Sequence, residues 1–158
     1  MELWELSARE SIRELVARYN ACGDSGRFDD LMELFWDDAQ MELANPPDPQ
    51  VYRGIDAIRT IFTGTLDRWK SDHDARASEG AVPATPNHVR HCVSTLVIDI
   101  DSPEQARGYM YFHVIMPHGL DHWGRYFDRY EARDGEWRFA SRRVKREGGI
   151  DLLPGDPA

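Results

Sequence analysis

No stretch of this chain approaches the roughly 18 apolar residues of a membrane-spanning helix. Its 158 residues include only two cysteines, Cys22 and Cys92. Isolated thiols without CxxC spacing fit a reducing compartment, with a single disulfide left open. Positive charge is scarce too: 19 Lys and Arg stand against 28 Asp and Glu, a net charge of -9. Phosphate neutralisation needs a basic face, so nucleic acid is an unexpected partner. The one basic run, Arg138, Arg142, Arg143, Lys145 and Arg146, reads as a solvated strand face. A glycine-rich phosphate loop, a GxSxG elbow and a dinucleotide fingerprint are all missing. The first residues hold no basic segment followed by an apolar run, the pattern of a secretory leader. The expectation is a cytoplasmic protein with neither membrane nor nucleic acid as partner.

What is present is a composition of 41% hydrophobic, 30% charged and 11% aromatic residues. That suits one soluble domain, rich in the rings that line cores and small-molecule pockets. Ser7-Ala8-Arg9-Glu10 has the form of a capping box. Ile12, Leu15, Val16, Tyr19 and Cys22 follow on one helical face, and Gly23 ends the helix. Phe28, Leu31, Met32, Phe35 and Trp36 predict a second helix, closed by Asp37-Asp38. Residues 40–44 and 51–53 predict short strands around a proline-rich break. Gly54 opens a third helix with Ile55, Ile58, Ile61, Phe62, Leu66 and Trp69. The polar stretch 71–86 is mobile or a lid. The period then changes to two, and residues 88–101, 105–116, 122–133 and 136–146 predict four long strands. Helices first and an antiparallel meander after them make an α+β fold.

The order of these pieces resembles the SnoaL-like branch of the nuclear-transport-factor-2-like superfamily. The resemblance is carried by Ile12-Arg13-Glu14-Leu15, Asp24, Leu31-Met32-Glu33-Leu34-Phe35, Gly54-Ile55-Asp56-Ala57-Ile58, Arg90-His91-Cys92-Val93, Gly124-Arg125-Tyr126-Phe127-Asp128 and Asp134-Gly135-Glu136-Trp137. It implies a cone-shaped α+β barrel, with three N-terminal helices packed in a strongly curved antiparallel sheet. The domain would span residues 1–146, with 147–158 as a tail. The superfamily hosts dehydratases, isomerases, dehydrohalogenases and plain binding proteins, so fold alone does not choose among them.

The resemblance also implies a site. Asp24 and His91 stand where dehydratase and dehydrochlorinase members place an orienting Asp and a basic His. Tyr19, five residues before Asp24, matches the dehydratase type. His113, with His118 as its alternative, stands nearest a further acid or His on the next strand. Arg142 stands where the dehydrochlorinase has an Arg. Trp36, Phe62, Tyr111 and Tyr126 are expected to bind substrate. In this reading Asp24 takes the Nδ1 hydrogen of His91 and leaves Nε2 as base. The pair should then lie within about 2.6–3.2 Å, or share a water. Plainer roles stay open: Asp24 as a turn residue, His91 and Tyr19 as core, His113 on an outer face, and Arg142 paired with Asp128. His118 and His122, with Asp121 between, can chelate, but no zinc geometry is supplied, and no metal is expected.

The expected activity is that of a lyase or isomerase without cofactor, a dehydratase first. Its substrate would be a small, apolar, cyclic molecule of polyketide, steroid or terpenoid type. The alternative is a binding module without catalysis. Trp123 and Phe127, with Trp137 and Phe139, suggest an apolar outer sheet face and a homodimer or homotrimer built through it.

Overall fold

The computed structural model describes residues 2–45, 48–64 and 89–149. The stretch 71–86, read above as mobile or a lid, lies outside them, as do Leu66 and Trp69. Helix α1 (Leu3–Asp24) buries the expected stripe of Ile12, Leu15, Val16, Tyr19 and Cys22. It begins four residues before Ser7, from Glu2 as N-cap, which makes no side-chain cap bond. The capping box is therefore interior to the helix. The extra turn is tied down by Arg9, which pairs with Glu5 at 3.1 Å and donates to the Ile98 carbonyl at 2.6 Å.

Helix α2 (Phe28–Met32) is shorter than its apolar stripe predicts. Phe35 and Trp36 instead open strand β1 (Phe35–Leu43). The Phe139 amide donates to the Leu34 carbonyl at 2.9 Å, and sheet pairing there overrides the helical periodicity. Strand β2 (Gln50–Arg53) pairs antiparallel with β1. Gly54, at φ +82, turns the chain into helix α3 over residues 55–64. Strands β3 (Arg90–Ser102), β4 (Gln105–Met116), β5 (Gly119–Arg133) and β6 (Glu136–Gly149) form the meander. The last strand runs past residue 146, so 147–149 belong to the sheet rather than to a tail.

The sheet order is β2-β1-β6-β5-β4-β3, with β1 parallel to β6 and every other pair antiparallel. It is curved and does not close. A register shift between Ser94 and Val97, with Thr95 at φ 55, breaks the β3 ladder and bends it. The inner face carries Met110, Phe112, Val114, Tyr126, Tyr130 and Phe139, all buried in one core cluster with the stripe of α1.

Strand parity corrects the expected outer face. A register shift beside Phe139 turns it inward, fully buried, and Trp137 packs against the same core. The exposed apolar set is Tyr109, Tyr111, Ile115, Leu120 and Trp123. Phe127 shares their face, two residues along from Arg125, which follows Gly124 of the inner row.

Candidate active site

Asp24 is the last residue of a 22-residue helix. Carbonyl ends carry about half a negative charge there, so a carboxylate is electrostatically misplaced by about 0.3–1 kcal/mol. No basic residue in the last turn compensates it. What meets it is His91. Asp24 Oδ1 lies 2.6 Å from His91 Nδ1, and Oδ2 accepts the His91 backbone N–H at 2.9 Å. The carboxylate thus fixes both the ring and the strand that bears it. Since it can only accept, it selects the Nδ1–H tautomer and leaves Nε2 with the lone pair. The Asp24 side chain is 9% exposed and that of His91 32%, so the imidazole is reachable and its partner is covered.

Tyr19 and Tyr126 lie in the inner core cluster, close enough to Asp24 to feel its charge. Tyr19 meets Phe35, Phe62, Tyr126 and Phe139 edge-on, with centroids 5.7 to 6.2 Å apart. Tyr126 stacks on Phe112 at 4.4 Å. Burial raises both hydroxyl pKa values, Arg142 opposes the shift, and the charge of Asp24 adds to it. Both rings therefore remain hydrogen-bond donors at any working pH. Phe62 completes the cluster by touching Phe28 at 6.0 Å.

Arg142 lies 1% exposed at the base of this cluster. Asp128 grips it with two bonds, at 2.9 Å to Nε and 2.7 Å to Nη2, and Tyr130 donates to the same carboxylate at 2.7 Å. The guanidinium sits 4.0 Å from the Tyr19 ring centroid and 4.4 Å from those of Tyr126 and Phe139. Pairing with Asp128 is thus its main contact, and Nη1 is buried without a partner among the described residues. Burial disfavours its charge, but Asp128 more than offsets that and holds it positive.

Three expected substrate or catalytic residues stand elsewhere. Cys92, His113 and Trp123 share one row across β3, β4 and β5, and Tyr111 is 47% exposed on that same outer face. His91, Val114 and His122 form the neighbouring row, which faces inward. His113 and Tyr111 are therefore separated from His91 by the sheet itself. Trp36 follows the inward Phe35, so it too faces outward, donating to the Glu131 carbonyl at 3.0 Å between Arg133 and Arg138. The inward second histidine is His122. Sequence reasoning weighed it only as a chelator with His118. Its parity with Tyr126, four residues on, was the signal that places it inside. Among the described residues no three His, Cys, Asp or Glu side chains converge as a cation site.

Two grooves formed by described residues lie away from these groups. One, of about 460 Å³, runs past Glu14, Arg18, Glu136 and Arg138. The other, of about 280 Å³, lies beside Asp29, Met32 and Arg59. Both are open and charged, and neither includes Asp24 or His91, so the chemistry argues for the inner face over either groove.

A family model described as a SnoaL-like domain matches residues 4–143. No curated protein sequence matches the chain significantly. Among solved structures, a candidate scytalone dehydratase from Novosphingobium aromaticivorans is similar at TM-score 0.72 and 20% identity, covering 100% of this chain and 99% of its own. LinA is similar at TM-score 0.68 and 18% identity, with 99% and 98% covered. An NTF2-like protein with a cystatin-like fold, also from Novosphingobium aromaticivorans, aligns at TM-score 0.66 and 21% identity over 90% and 88%. At such identities the likeness is one of fold.

Proposed function

The chain belongs to the SnoaL-like domain family, and from that premise we propose that it is a lyase or isomerase that works without a cofactor, dehydration being its first reaction. The observation that carries this reading is the double contact of Asp24 on His91. A plain binding module has no use for a carboxylate at the wrong end of a helix, clamped on an imidazole whose Nε2 is left open.

His91 Nε2 takes a proton from an acidified carbon of a small, apolar, cyclic substrate. Asp24 and the carbonyl end of α1 complement the positive charge that the ring then gains. The C–H electron pair passes to a neighbouring carbonyl as an enolate. Tyr19 and Tyr126 donate to that oxygen, and the charge of Arg142 lies beneath both rings. In the dehydration the enolate collapses to a C=C bond, and the C–O bond to a β-hydroxyl breaks. The proton held by His91 passes to the departing oxygen, giving water and a neutral base. Returning the proton to a different carbon gives the isomerisation.

The test uses β-hydroxycyclohexanone and watches the conjugated enone by ultraviolet absorbance. Wild type should accelerate its formation, and His91→Ala should remove nearly all of that acceleration. Equal rates for the two proteins would leave the binding module as the better reading.

A further inference from the structure

A second imidazole–carboxylate pair sets its imidazole on the same inner sheet face as His91. His122 Nδ1 lies 2.5 Å from Asp121 Oδ2, and His118 Nε2 holds the other oxygen of Asp121 at 3.0 Å. His122 lies in the same inward row as His91, two strands away, with Val114 between them. Strand spacing sets their backbones about 10 Å apart, a span that one substrate ring lying over Val114 would bridge. The ring of His122 meets Phe112 edge-on at 5.9 Å, and Phe112 stacks on Tyr126. His122 thus continues the aromatic wall of the proposed site, and it is not part of the mechanism above.

The carboxylate of Asp121 can only accept, so it fixes Nδ1–H on His122 and leaves Nε2 as a lone pair. The groups around the ring keep it neutral. Burial lowers its pKa from the ordinary 6.5, Asp121 opposes this, and the positive charges of Arg146 and of a protonated His91 press it further down. His118 and Arg146 help hold Asp121 ionised against its own burial. A neutral ring in this tautomer cannot donate from Nε2. What it offers substrate is an acceptor.

We infer that His122 is the hydroxyl-recognition residue of the site: its Nε2 accepts a hydrogen bond from a substrate alcohol whose neighbouring C–H faces His91. The inference rests on the reading of His91 as base. It narrows the substrate class to cyclic alcohols and sets dehydration above loss of halide, because a halogen has no proton to give Nε2. A site built to receive a hydroxyl discriminates strongly against analogues that lack one.

The test labels the full chain with phenacyl bromide, an aryl haloketone that suits an apolar pocket. The Nε2 lone pair displaces bromide, an N–C bond forms as the C–Br bond breaks, and peptide mass spectrometry locates the adduct. Labelling of His122 is expected. It should slow roughly fivefold or more in Asp121→Asn, where the neutral ring also populates Nε2–H. At equal concentrations cyclohexanol should protect His122 more than chlorocyclohexane does. Labelling of His91 but not His122 overturns this inference and leaves the proposed base standing. Labelling only at the outward His113 or at His118, or nowhere, overturns both. Equal protection by the alcohol and the chloride overturns hydroxyl selection.

Discussion

Asp24 touches His91 twice, once at the ring and once at the backbone, and substitution separates the two contacts. Asp24→Asn keeps a carbonyl oxygen that can accept one N–H but no longer enforces the tautomer. Turnover should fall on the order of 10²-fold or more, with binding of substrate largely kept. Tyr19→Phe removes one donor and should cost about tenfold, near 1.4 kcal/mol of transition-state stabilisation. His113→Ala should leave turnover unchanged, since that ring lies across the sheet from His91. These three rates, compared as kcat and KM separately, distinguish the inner row from the outer one. The pH dependence of substrate affinity belongs to His122. Its pKa is depressed by burial, so its acceptor persists below 6.5. Substrate affinity should fall only when the pH drops through that lower value.

At the level of elements, the sequence reveals what repeats and hides what only tertiary contact decides. The stripe of α1 and the turns of the meander are local, and the strand read over 105–116 matches β4 residue for residue. The start of β1 is not local. Phe28 to Trp36 keeps a helical spacing, but Phe35 reaches its partner Phe139 only through a parallel pairing of distant segments. Asp24 and His91 were legible because family order fixes their positions. His113 and Tyr111 were misplaced because alternation says which residues share a face, not which face is inner. Val114, with its 1% exposure, settles that. The same logic isolates Asp128. It grips Arg142 in the core, so Asp128→Ala leaves a buried guanidinium uncompensated. Urea unfolding should show a loss of about 3–5 kcal/mol. A surface pair such as Arg18–Glu14, at 64% and 60% side-chain exposure, should leave stability nearly unchanged when broken.

For the whole molecule, the outer sheet face leaves Tyr109, Tyr111, Ile115, Leu120 and Trp123 exposed. We propose that a second copy covers it, giving a dimer or trimer at micromolar concentration by light scattering. Trp123→Lys should shift that assembly towards monomer. Stability should also follow the burial of His122. A histidine with a lowered folded pKa binds its proton more readily when unfolded. Its contribution is therefore complete above 6.5 and declines as pH falls through the depressed value. An Asp121→Asn variant, lacking the carboxylate that opposes the shift, should lose stability from the same starting pH and continue losing it to lower pH. The proposed function turns on whether His91 removes a proton from carbon. The most direct measurement is deuterium uptake at the α-carbons of β-hydroxycyclohexanone in heavy water, followed by proton NMR with catalytic protein. Exchange is expected well above the buffer rate with wild type and at the buffer rate with His91→Ala. Exchange no faster than buffer, or equally fast in the variant, would contradict it.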